Sequence, residues 1–431
     1  MIFLYKSIVN ILFFIFFPFL PVLYLFSEKR RATLGPRFGI KTGFNPKKAL
    51  KKRIWVHALS VGEVISALSF VKALNYKYKD VEIVFTASTK TGFDMANQLF
   101  LKNLGLIDQL GYFPFDLGVS VKKISQQIDP DAVVLVETDL WPNFLYEMKK
   151  RQTPVILINA RLSKRSLKGY LFFKKFSVIF FSFLTGIMAQ TQLDKERFQR
   201  LGIDQNIIFV TGNIKFDQSC EDIDKKAMND LISGLGIKNK THIFVAGSTH
   251  EGEEKILCQA YKKVKKKFPQ LLMILAPRDP KRCPVLRSYF LSNEIQAVFM
   301  SAMDKDCDSP EVILVDKMGE LSRLYAICDV AFIGGSMVRQ GGHNPLEPAA
   351  FSKPILFGSD MSDFLLISNL LMDNGGAKKV TSGQDLEKEL ETLLEKRQIR
   401  QRMGQRGFEV FSRNSGAVQR ILKNMERFHI V

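Results

Sequence analysis

Cysteine, histidine and tryptophan are scarce in this 431-residue chain, which carries five Cys, five His and two Trp. Cys220, Cys258, Cys283, Cys307 and Cys328 lie far apart with no CxxC spacing. That excludes a zinc ribbon or a disulfide framework and fits a reducing compartment. His57, His242, His250, His343 and His429 show no HxH or HxxxH pairing, so no metal ligand set is expected. There is no helix-turn-helix, RNP-like or zinc-finger pattern, which removes nucleic acid as the expected partner. GxGxxG is absent too, so a dinucleotide cofactor is not indicated. No low-complexity tract or short-period repeat interrupts the chain.

What is present is positive charge. Lys and Arg number 62 against 43 Asp and Glu, a net +19, which calls for an anionic partner such as a phosphorylated substrate or an anionic lipid surface. Residues 7–26 are nearly all apolar, hold six Phe and are followed by Glu28-Lys29-Arg30-Arg31. The stretch has the ~20 residues a helix needs to cross a bilayer, and the basic flank would keep the body cytoplasmic. Pro18 and Pro21 would kink such a helix, so a segment lying in the interface stays open, as does a buried core helix. Later basic clusters, among them Lys47-Lys48 with Lys51-Lys52-Arg53, read singly as solvated faces and together suit an anionic leaflet.

From residue 53 to about 213, short apolar runs at 54–59, 81–86, 132–136, 155–158, 186–189 and 207–210 alternate with helix-length stretches. The rhythm restarts after Lys215 with runs at 243–246, 271–275, 312–315, 330–333 and 354–357, and with helices expected at 251–267 and 361–372. Continuous β-branched runs spaced this way predict parallel strands covered on both faces, hence two Rossmann-like domains in tandem. The expected divisions are a membrane anchor and basic flank at 1–31, a first domain at 32–210, a linker at 211–220, a second domain at 221–415 and a terminal helix at 416–431. Paired domains of this kind are expected to face a central cleft.

Several strand ends carry chemistry. WVHALSVGE at 55–63 runs a strand into a turn that opens a helix, placing Glu63 where open α/β sheets put their ligands. Ser60-Val61-Gly62-Glu63 is also a capping box, so general base and helix cap are both open. Glu137-Thr138-Asp139 closes another strand before Trp141-Pro142, as base, charge stabiliser, sugar ligand or cap. Lys215 lies at the domain junction, able to neutralise a phosphate or to stand as a solvated lysine. Pro277-Arg278 follows a strand end and suits an Arg fork on phosphate. Met318-Gly319-Glu320 starts a helix, and Ser248 to Glu251 another with Glu251 as cap. Gly334-Gly335-Ser336 and Gly341-Gly342-His343-Asn344-Pro345-Leu346-Glu347 approach a helix N-terminus, where bare N–H groups attract a phosphate and Glu347 can accept from a ribose diol.

Taken together, VHALSVGE at 56–63, ETDLWPN at 137–143, NARLSKRS at 159–166, TGNIKFD at 211–217, AGSTHEGEE at 246–254, APRDP at 276–280, DKMGEL at 316–321 and GGHNPLEPAA at 341–350 resemble the 3-deoxy-D-manno-octulosonic acid (Kdo) transferase family of lipopolysaccharide assembly. The resemblance implies a GT-B glycosyltransferase at the cytoplasmic face of a Gram-negative inner membrane. It would move Kdo with inversion from CMP-Kdo to a lipid A precursor, lipid IVA, or onto a Kdo already attached, with no cofactor. It implies Glu63 as general base and Glu137 and Lys215 as transition-state stabilisers. CMP would be held by Pro277, Arg278, Met318, Gly319, Glu320, Asn344, Pro345, Leu346 and Glu347. A sugar-nucleotide epimerase of similar two-domain fold, which needs no acceptor, is the alternative enzyme. A membrane-tethered nucleotide-sugar binding protein is the alternative without catalysis.

Overall fold

The computed structural model describes residues 5, 7, 9, 11, 15, 28–48, 51–137, 140–217, 224–237, 242–303 and 310–431. Most of the apolar 7–26 segment, with Thr138, Asp139, Cys220 and Cys307, lies outside them. Among the described residues no helix is long and apolar enough to cross a membrane. The chain divides into two compact units, Met1–Gln218 with Ser415–Val431, and Ser219–Asn414.

The first unit is a seven-stranded parallel sheet of β1 (Lys52–Ala58), β2 (Val81–Ala87), β3 (Gln109–Tyr112), β4 (Ala132–Val136), β5 (Val155–Ala160), β6 (Gly186–Ala189) and β7 (Ile208–Val210). Their order is β3-β2-β1-β4-β5-β6-β7, so strand order reverses between β1 and β4, the crevice where doubly wound sheets bind ligands. Successive side chains on a strand point to opposite faces. Ile54 and Val56 therefore join one core with Val64, Phe70 and Leu74 of the helix Val61–Lys77, while Trp55 joins another with Phe113, Phe144 and Leu145. Both faces are thereby dry, as the unbroken apolar runs require.

Two features of this sheet escaped the sequence reading. β3 is four residues, QLGY, with too little apolar pattern to announce a strand. Arg53, expected on a solvated basic face, is fully buried. Its guanidinium grips Glu82 of β2 through Nε to Oε2 at 2.9 Å and Nη2 to Oε1 at 3.0 Å, and Gln109 of β3 donates to Glu82 Oε1 at 2.8 Å. A buried strand leaves no solvent for a charge run, so its single arginine pairs with Glu82, its register neighbour on β2.

The second unit repeats the plan with β8 (His242–Thr249), β9 (Leu271–Pro277), β10 (Ala297–Phe299), β11 (Val312–Leu314), β12 (Val330–Ile333), β13 (Ile355–Phe357) and β14 (Ala377–Lys379). The order β10-β11-β9-β8-β12-β13-β14 is again parallel throughout and reverses between β8 and β12. The helices Glu253–Lys267 and Gly383–Glu395 cover one face through Leu257, Tyr261, Val264, Leu386 and Leu390. The three-residue edge strands β10 and β14 were not foreseen.

The chain then returns to the first unit. The helix Ala417–Arg427 buries Val418, Ile421, Leu422 and Met425 in the first core, each side chain contributing at most ~1.5–3 kcal/mol of hydrophobic stabilisation. Asp217 holds the start of this helix, its carboxylate accepting from the N–H of Gly416 at 2.6 Å and of Val418 at 2.5 Å. The return helix and residues 211–217, expected as separate pieces, are thus built into one body.

Candidate active site

Glu63 stands in the first turn of Val61–Lys77, just past the C-terminal end of β1. Its carboxylate accepts from the N–H of Leu59 at 2.6 Å and from the Ser60 hydroxyl at 3.2 Å, while its own N–H points at Ser60 Oγ at 3.5 Å. This is a capping box shifted by one residue, since the side chain reaches Leu59 rather than the Ser60 backbone. Only 9% of Glu63 is exposed, so its rotamer is set before any ligand arrives.

Glu137 is the residue after β4, the strand beside β1 across the reversal of strand order. Its N–H continues the ladder to Ile158 O at 2.9 Å, but its φ of 65° is left-handed. A non-glycine residue held there costs energy and marks positions where a side chain is re-aimed for function. Lys215 lies in the short turn Ile214–Asp217, half-buried. That turn is tied to the helix of Glu63 by Ser69 Oγ donating to Ile214 O at 3.3 Å, and to β5 by Ile214 N–H donating to Asn159 Oδ1 at 3.2 Å. Glu63, Glu137 and Lys215 therefore all belong to the first unit and to elements that pack directly on one another.

The nucleotide candidates belong to the second unit. Pro277 ends β9, and the exposed Arg278 follows it, its N–H bonded to Thr249 O at 2.9 Å. Met318 and Gly319, φ 92°, turn the chain beyond β11 ahead of the helix Leu321–Ile327, with Glu320 at its N-cap position. Beyond β12, Asn344 Oδ1 accepts from Leu346 N–H at 3.1 Å, which caps the short helix Leu346–Ala350. Burial pushes the Glu347 carboxyl up to about 7, against the opposing pull of the Asn344 amide and the Arg278 charge.

One expectation is corrected. The amides of Gly335, Ser336 and Met337 are filled by Glu253, whose Oε2 accepts from Gly335 at 2.7 Å and whose Oε1 accepts from Ser336 at 3.0 Å and Met337 at 2.8 Å. Oε2 also accepts from the N–H of His250 at 3.0 Å. A fully buried carboxylate thus occupies the first glycine turn, and in the second the amides of Gly341, Gly342 and His343 are taken by the Asp360 carboxylate, Gly335 O and Gly334 O. Glu253 also takes the place expected for Glu251, because Gly252, φ 97°, delays the helix start to Glu253.

Sequence reasoning also missed a contact between two motifs. His250 and His343 meet Nε2 to Nε2 at 2.8 Å, with Gly335 directly beneath the His343 ring. No local signal could pair residues 93 positions apart.

The family described as 3-deoxy-D-manno-octulosonic-acid transferase (kdotransferase) matches residues 32–218. A 3-deoxy-D-manno-octulosonic acid transferase of Haemophilus influenzae is 35% identical over 94% of this chain and 93% of its own length. One of Chlamydophila psittaci is 31% identical over 78% of this chain and 77% of its own. Among solved structures, the UDP-GlcNAc 2-epimerase of Neisseria meningitidis bound to UDP-GlcNAc aligns with 87% of this chain and all of its own at TM-score 0.56 and 15% identity. At that identity the likeness concerns the fold alone.

Proposed function

This chain belongs to the Kdo transferase family, and we propose that it transfers Kdo from CMP-Kdo to a hydroxyl of a lipid A precursor with inversion at the anomeric carbon. The observation that carries this reading is the anchored carboxylate of Glu63, held at 2.6 Å by Leu59 N–H beside the reversal of strand order.

Glu63 accepts the proton of the acceptor hydroxyl while that oxygen forms a bond to the Kdo anomeric carbon. The bond from that carbon to the CMP phosphate oxygen breaks, and CMP leaves with the electron pair. Positive charge gathers on the sugar as the bond breaks, and the Glu137 carboxylate suits it. Negative charge gathers on the phosphate, and the Lys215 ammonium, the Arg278 guanidinium and the N–H groups of Asn344 and Glu347 suit that. Pro277, Met318, Gly319 and Glu320 complete the nucleotide side, with Glu347 accepting from the ribose. The scheme needs no cofactor.

The body belongs on the cytoplasmic side of the inner membrane, with residues 7–26 meeting the bilayer. The net +19 charge supports an anionic surface as partner, as do the exposed Phe172 and Phe173, flanked by Lys174 and Lys175. Co-sedimentation with vesicles of anionic and of neutral lipid tests this: equal binding to both would remove the charge argument.

The enzymatic reading is tested by incubating the full chain with CMP-Kdo and a tetra-acylated acceptor. CMP release together with a Kdo-lipid detected by mass spectrometry is expected. Release or rearrangement of the sugar nucleotide without acceptor would overturn it in favour of the epimerase.

A further inference from the structure

β7 is an edge strand of the first sheet and lies three strands from β4, roughly 14 Å at the spacing of neighbouring strands. The N–H of Thr211 bonds to Ala189 O at 3.0 Å, so by the alternation of a parallel ladder Phe209 also faces β6, and Ile208 and Val210 turn their backbone groups to the open side. The N–H of Ile208 is used by Gln205 O. Ile208 C=O and both backbone groups of Val210 remain on that side, and Val210 is 40% exposed. An edge of this kind is a template for another strand.

The edge floors a groove of about 560 Å³ walled by the helix Gln192–Leu201 and the return helix Ala417–Arg427. The first helix buries Phe198 and Leu201 in the core on one face of the sheet, and the second buries Ile421 and Met425 in the core on the other, so the walls stand on opposite faces. Lys195 comes from the first wall, and Arg420, Lys423 and Arg427 from the second, at the three- and four-residue steps that share a helix face. Among the described residues that line the groove none is Asp or Glu. Arg420 is spent partly on carbonyls, donating to Thr211 O at 2.7 Å and to Ser415 O at 3.0 Å. Two acids close by in sequence are engaged elsewhere, Asp204 by Asn206 N–H at 2.9 Å and Glu426 by Lys77 at 2.7 Å. Lys195, Lys423 and Arg427 are left to face an open strand edge.

We propose that this groove docks an extended acidic segment of a partner protein, added as a strand beside β7. Main-chain hydrogen bonds to Ile208 C=O and to Val210 supply the pairing, and carboxylates match the cations. Successive side chains of the added strand point to opposite faces, so consecutive acidic residues meet Lys195 on one wall and Lys423 or Arg427 on the other. A second copy of this chain is the wrong occupant, because its own β7 edge would bring the same cations against these. Phosphodiester oxygens only accept, so a lipid headgroup or nucleic-acid backbone would match the cations and leave the Ile208 and Val210 carbonyls unmet. The surface goes beyond the transferase reading and uses none of its residues.

The probe is a fluorescent, end-blocked peptide of sequence EEVEVEE, titrated with the full chain and followed by anisotropy. Saturable binding is expected, with none for the peptide KKVKVKK. N-methylation of the central amides of EEVEVEE should weaken it at least about tenfold, as loss of the main-chain donors requires. Lys423→Glu combined with Arg427→Glu should weaken it by a similar factor, because two attractions become two repulsions, and added salt should weaken it further.

Hydrogen exchange read residue by residue separates strand addition from attraction by charge alone. The Val210 N–H should gain protection when EEVEVEE binds, while the Phe209 N–H, which already faces β6, should not change. Val210→Pro removes that donor without touching the β6 ladder and should weaken the peptide while the unfolding midpoint stays near that of the wild type. No saturable binding, equal binding of the N-methylated peptide, or full affinity in the doubly charge-reversed protein overturns the docking surface. Binding of anionic vesicles or of a single-stranded oligonucleotide that is lost in the same double variant, with no binding of EEVEVEE, assigns the groove to phosphate and overturns it as well.

Discussion

His250 Nε2 and His343 Nε2 lie 2.8 Å apart with their rings 5° from parallel, joining two loops of the second unit through a single imidazole–imidazole hydrogen bond. Such a bond needs one N–H and one lone pair, so it cannot survive when both rings are charged. Burial first, then the charges of Arg278 and His250, lower the His343 pKa to about 4. Between about 4 and the ordinary 6.5 the folded state binds fewer protons than the unfolded one, so stability rises with pH across that window and is lost on acidification. Thermal unfolding followed across the window should show a steeper loss for the wild-type chain than for His343→Gln. Parallel pH profiles would mean that the pair does not report on folding.

Glu347 has the opposite sign. Its carboxyl, raised to about 7, leaves the folded state holding more protons than the unfolded one between the ordinary 4.5 and 7, so its contribution to stability is present below that window and lost above it. A ribose diol, however, donates to the charged carboxylate. CMP should therefore bind more tightly as pH rises through about 7 while the apoprotein loses a little stability. Calorimetric titration of CMP at several pH values checks this, and Glu347→Gln is expected to flatten the profile. An unchanged slope in that variant would assign the pH dependence to another group.

The carboxylate of Glu63 has two holds and one N-cap to serve, and these can be separated. Glu63→Gln keeps the cap and removes the base, so kcat should drop by ~10²–10⁴ with the unfolding midpoint little changed. Ser60→Ala removes the cap hydroxyl and one hold, costing ~1 kcal/mol in urea unfolding, while Leu59 N–H still anchors Oε2. Its kcat should fall far less. Near-normal turnover of Glu63→Gln would leave Glu63 as a cap only.

The strand-end positions of Glu63, Glu137 and Arg278 were legible because they follow apolar, β-branched runs, and a strand buried on both faces has a strong local signature. Lys215 and its neighbours were legible only as part of a motif set, since a lone lysine at a junction has no distinguishing physics. What stayed hidden is what depends on distant contacts. Glu253 fills the Gly335 turn from 82 positions away, and nothing near it distinguishes it from Glu251. Arg37 sits among five other charged or polar residues of its helix, and its partial burial depends on Phe113 and Phe115. β3, β10 and β14 are too short for a period of two to appear, and neighbouring strands hold them in register.

Arg53 and Glu82 provide the test of how much such a hidden contact is worth. Both are essentially fully buried and joined by two hydrogen bonds, with Arg53 Nη1 also donating to Ile128 O at 2.6 Å. Arg53→Met strands the Glu82 carboxylate with Gln109 and a long contact to the Lys48 N–H inside the sheet, and breaking one side of a buried pair costs ~3–5 kcal/mol. Arg53→Lys should recover little, because a single ammonium cannot reproduce the two-pronged geometry. Replacing both, as Arg53→Met with Glu82→Leu, removes the stranded charge and should regain most of the loss, since desolvation of the pair offsets much of its attraction. Urea unfolding of the four proteins decides the matter. A single-variant cost within the ~1 kcal/mol of an exposed pair would show that water reaches Glu82 and that the contact steers strand pairing without stabilising the unit.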